Sequence, residues 1–69
     1  MNMSFTEFEA SVEVALNGRT TSRDHANVWM RSLKLVRPDV HGQIADHHID
    51  PIRHASKLSK ARDYARSNW

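Results

Sequence analysis

The chain has 69 residues, no cysteine, 39% hydrophobic side chains and a formal net charge of +2. A chain of this size buries only about 60% of the surface its unfolded form exposes, so the core is small, and no disulfide can reinforce it. No apolar run approaches the roughly 20 residues that span a bilayer, and the opening MNMSFTEFEASVEV lacks the basic start and apolar block of a signal peptide, so a soluble, cytoplasmic single domain over residues 1–69 is expected.

Charge is distributed by segment. Net charge is −3 over residues 1–18, +4 over 19–37, −3 over 38–50 and +4 over 51–69. The boundaries coincide with those of four predicted helices.

The first helix opens at Ser4-Phe5-Thr6-Glu7. This is a capping-box pattern, in which the serine hydroxyl accepts from a free amide and the glutamate reaches back. Phe5, Phe8, Val12, Ala15 and Leu16 then share one arc of a 3.6-residue period. Asn17-Gly18 ends the helix, because glycine accepts the left-handed conformation beyond a helix C-terminus.

The second helix opens at Thr21-Ser22-Arg23-Asp24, with a cap and an acid in its first turn. Ala26, Trp29, Met30, Leu33 and Val36 form its apolar stripe, and Val28 and Leu35 fall on the opposite side. Arg23, Asn27, Arg31 and Lys34 fill the arc between. A helix apolar on two sides is either central in a bundle or in contact with a partner. Pro38 stops it, since the residue before a proline avoids the helical region.

Pro38 also suits the first turn of a third helix, where its missing N–H is not needed. Val40, Ile44 and His47 share its apolar face, and Gly42 weakens it. His47 is therefore the histidine expected to be partly buried, with His41 and His48 at the surface, and acid is expected to destabilise the fold through it. Asp50-Pro51 repeats the cap-then-proline logic and predicts a fourth helix from Pro51 to about Ser67, with Ala55, Leu58, Ala61, Ala65 and Trp69 on a thin apolar arc. The expected fold is an all-α bundle of three to four short helices, with tight turns near 18–21, 37–39 and 49–51.

The stretch ADHHIDPIRH, residues 45–54, carries three histidines and two aspartates. Helical metal sites pair histidines three or four positions apart on one face, and none of the five histidines forms such a pair. The stretch reads as the turn between two helices, with Asp50 as a cap, and no metal or cofactor is expected. Catalysis has no support either. There is no thiol, nothing relates a nucleophile to a base, and two glycines cannot make a phosphate loop.

Two surfaces remain. Val28 and Leu35, with Arg31 at their edge, have the composition of a protein interface, and a small core favours self-association. Arg53, Lys57, Lys60 and Tyr64 lie within one narrow arc of the predicted fourth helix. Such a stripe can follow a phosphate backbone, with the ring stacking on a base. The acidic first and third helices could instead neutralise these cations internally. The sequence thus predicts a non-enzymatic helical module of inhibitor or adaptor type that docks on a protein and forms a homo-oligomer. The alternative is a small DNA- or RNA-binding protein using the fourth helix and the basic arc of the second.

Overall fold

A computed structural model describes residues 3–69. The chain folds into α1 (Phe5–Leu16), α2 (Ser22–Val36), α3 (Pro38–Asp46), a 3-10 turn (Ala55–Lys57) and α4 (Leu58–Ser67), with no strand among the described residues. This is the expected all-α bundle. No helix among the described residues is long and apolar enough to cross a membrane.

The start signals of the first two helices act as local chemistry requires. The Ser4 hydroxyl accepts from the Glu7 amide at 3.0 Å, and the Glu7 carboxylate accepts from the Ser4 amide at 3.0 Å. The Ser4 amide's bond to the charged form holds the Glu7 carboxyl below its ordinary range. Thr21 accepts from the Asp24 amide and donates to the Asp24 carboxylate. At the end of α1 the left-handed turn takes two residues, Asn17 at φ 52° and Gly18 at φ 83°. Asparagine is the non-glycine residue that best tolerates this region. Arg19 then folds back, its guanidinium donating to the carbonyls of Ala15 and Leu16 at the helix end.

The joint between α2 and α3 is a single residue. Arg37 ends one helix and begins the next at φ −136°, ψ 73°, a conformation set by the proline that follows. Its guanidinium forms two hydrogen bonds to Asp39, at 3.0 and 2.8 Å, which hold the Asp39 carboxyl at about 2 and raise the arginine further.

The core is built from Phe8, Val12 and Leu16 of α1, Trp29, Met30 and Leu33 of α2, and Val40 and Ile44 of α3. Phe8 is its aromatic centre. The Trp29 ring meets it edge-on at 5.6 Å, and the Trp69 ring lies 5.0 Å away on another side. Ala61 and Ala65 are fully buried, and their small size brings α4 close to the core. Val36, in the expected stripe, is only half-buried, and Ala15 is exposed.

Two expectations fail here. His47 is exposed, capping the end of α3. A ring nitrogen lies 2.8 Å from the Gln43 carbonyl, so satisfying the helix end draws this side chain off the apolar face. The fourth helix does not run from Pro51. Asp50 does cap, accepting from the Ile52 and Arg53 amides, and the His54 amide reaches the Asp50 carbonyl. The helix stops after that one turn, because His54 adopts φ −134°, ψ 87°. The break lets the chain turn a corner: Ile49 and Pro51 close one end of the core, and α4 lays its alanines against its side.

One carboxylate joins three helices. Glu9 of α1 accepts from the indole N–H of Trp29 at 3.0 Å and from two guanidinium nitrogens of Arg62 on α4, at 2.9 and 2.6 Å. Trp29 is almost wholly buried, so loss of its acceptor leaves a desolvated donor. Glu9→Ala is expected to destabilise the fold by about 2 kcal/mol. Arg62→Ala, which breaks only a partly exposed ion pair, should cost under about 1 kcal/mol. Chemical denaturation of both variants checks the order, and equal losses would remove the Trp29 bond from its role.

Candidate functional site

The residues expected at a protein interface do not share one environment. Leu35 is 81% exposed and Arg31 is exposed, both on the outer side of α2. Val28 is half-buried and packs against the core, so it belongs to the fold more than to a free surface. The spacing of seven residues placed Val28 and Leu35 on one side. How far each is covered depends on what lies against that side at each end of the helix.

The basic arc is divided in a similar way. Arg53 lies in the capped turn before His54, Lys57 in the 3-10 turn, and Lys60 and Tyr64 on α4. The helix break therefore removes Arg53 from the single stripe predicted for a continuous helix. Tyr64 is committed to the fold. Its hydroxyl donates to the Gln43 side-chain carbonyl at 3.1 Å, and its ring centroid lies 4.8 Å from that of His47, bracing α4 on α3.

Internal neutralisation is selective. Arg62 pairs with Glu9, Arg37 with Asp39 and Arg66 with Asp63. Arg53, Lys57 and Lys60 are exposed and form no ion pair among the described residues. Arg53, Lys57 and Lys60 thus fall within the segment 53–60 without an ion-pair partner among the described residues.

The stretch 45–54 does more than connect helices. Ala45, His48, Ile49, Asp50, Ile52, Arg53 and His54 line an open groove of about 540 Å³, completed by Met30 of α2 and His41 of α3. Sequence spacing could not reveal this, because His41, His48 and His54 come to the groove through the turn and not along one helix face. They do not converge on a point: among the described residues no group of three or more His, Asp or Glu side chains could hold a metal ion.

No protein-family model matches the chain, and no curated protein or solved structure matches it either.

His41, expected at the surface, is half-buried, and burial pushes its imidazole below the ordinary value, with Lys34 adding to the effect. The unfolded chain therefore takes up this proton more readily than the folded one. Stability should fall as pH drops through the unfolded value near 6.5, and the loss should end below the folded value, where both states are protonated. Denaturation midpoints at pH 7.5 and 5.5 should show this loss in the wild type and a smaller one in His41→Gln. An undiminished loss in the variant would clear His41 of it.

Proposed function

We propose that this chain is a small non-enzymatic helical module that acts by docking on another protein, self-association included, through the outer side of α2. The observation that carries this reading is Leu35. It is a large apolar side chain at 81% exposure, with the exposed Arg31 one turn before it, while Trp29, Met30 and Leu33 of the same helix are buried. An apolar residue edged by arginine is the composition of an interface centre. A core limited by chain length adds a stability motive for association. Val28 contributes at the inner edge, through the part of its surface left uncovered.

Sedimentation over a wide concentration range tests the reading. The wild type should associate, and Leu35→Glu should stay monomeric with an unchanged helical spectrum. Its stability should move by no more than about 0.5 kcal/mol, as for other exposed positions. A wild type that is monomeric throughout would remove self-association, and a variant that unfolds would return Leu35 to the core.

A second reading has its own support. Arg53, Lys57 and Lys60 have no carboxylate partner among the described residues, which favours phosphate binding to DNA or RNA along the 53–60 segment. Tyr64 takes part only through the edge its contacts leave free. Log affinity should fall linearly with log salt, with a slope of about −0.9 per phosphate contacted, and replacing Lys57 and Lys60 by Ala should flatten it by about two. Absence of retardation of duplex or single-stranded nucleic acid at low salt would end this reading.

A further inference from the structure

We infer that the groove rimmed by His41, His48, Arg53 and His54 is a binding site for a small organic anion, a molecule with an apolar body and one carboxylate, sulfonate or phosphate. The site involves none of Leu35, Lys57 and Lys60, and it does not rest on the docking reading.

Shape and chemistry agree on this class. A volume of about 540 Å³ lies within the range of small-molecule sites. The floor is apolar, with Met30 and Ile49 buried. Ile52 is 47% exposed at the groove, one of only three exposed large apolar residues among those described, and a ligand body would cover it. The rim carries imidazoles and a guanidinium. Its one carboxylate, Asp50, already accepts from two amides through Oδ1. Arg53 has no carboxylate partner among the described residues, and its planar fork suits a carboxylate or phosphate. A metal is the wrong class, because the imidazoles do not converge.

His48 supplies an independent argument. Helix α3 ends in a Schellman motif, in which the Ile49 amide reaches the Ile44 carbonyl at 3.2 Å and the His48 amide reaches that of Ala45 at 2.9 Å. His48 occupies the left-handed position of this motif at φ 58°. Glycine is the ordinary residue there, since a β-carbon is strained in that conformation. The chain keeps an imidazole where glycine would serve the fold better, and that imidazole lines the groove. Strain of this kind concentrates at ligand-binding positions.

The titratable and charged groups around the groove are the four rim residues and Asp50, with Lys34 acting on His41 from α2.

The probes are 2-naphthoate and its uncharged counterpart 2-naphthalenemethanol, titrated into the whole chain and followed by amide NMR. Naphthoate should give saturable shifts at the amides of residues 48–54, with roughly tenfold higher affinity than the alcohol at pH 6. Arg53→Gln should weaken naphthoate binding roughly tenfold. His48→Gly should raise the melting temperature by roughly 4 °C while weakening naphthoate binding, a divergence that a purely structural role for His48 would not produce. The site is overturned if naphthoate gives no saturable shifts, if the alcohol binds as well, if the shifts fall outside the groove, or if both variants bind like the wild type.

Discussion

The carboxylate of Glu9 is the constraint on which the arrangement of helices depends. Trp29 is the largest side chain in the core, and its ring can be buried only if the indole N–H finds an acceptor. Glu9 provides one from α1. The charge brought into that half-buried position is met by Arg62 from α4, whose guanidinium forms a fork on the second oxygen. Each partner solves the other's desolvation problem, and the three helices are placed relative to one another as a result. α4 has little apolar material of its own, so the close approach allowed by Ala61 and Ala65 seats it, and the Arg62 pair with Glu9 adds a smaller contribution.

A second closure acts at the opposite end of the aromatic core. The Trp69 ring meets Phe5 edge-on at 5.4 Å, and its indole donates to the Met3 carbonyl at 2.6 Å. Arg37 sits 5.2 Å from that ring and donates to the Trp69 carbonyl while holding Asp39. One arginine thus serves as the α2–α3 joint and as a clamp on the last residue. Residues far apart in the chain meet here, which suits a small domain without a disulfide.

These internal uses of charge shape the outer surface. Arg37, Arg62 and Arg66 take up carboxylates, whereas Arg53, Lys57 and Lys60 around the 49–60 connection form no ion pair among the described residues. At that stretch the turn also gathers His41, His48 and His54 beside exposed Ile52. The α2 surface at Leu35 is a separate feature, apolar and bordered by Arg31. The two faces are chemically distinct.

Local chemistry was legible in the sequence. The Ser4–Glu7 box, the Thr21 cap, the Asn17-Gly18 stop and the Pro38 break each depend on groups within four residues, so the sequence by itself determined α1, α2, the start of α3 and the all-α class. The 3.6-residue period likewise marked Phe8, Val12, Leu16, Trp29 and Leu33 as core. Tertiary structure decided what depends on distant neighbours. Asp50 capped as its local signal indicated, but only for one turn, because closing the core with Ile49 and Pro51 required the chain to change direction at His54. That bend took Arg53 off the predicted arc and brought His41, His48 and His54 around one groove. Helical spacing also could not distinguish half-buried Val28 from exposed Leu35, or foresee that His47 would turn to the Gln43 carbonyl. Periodicity specifies which side of a helix a residue occupies; whether that side is covered is a property of the whole packed chain.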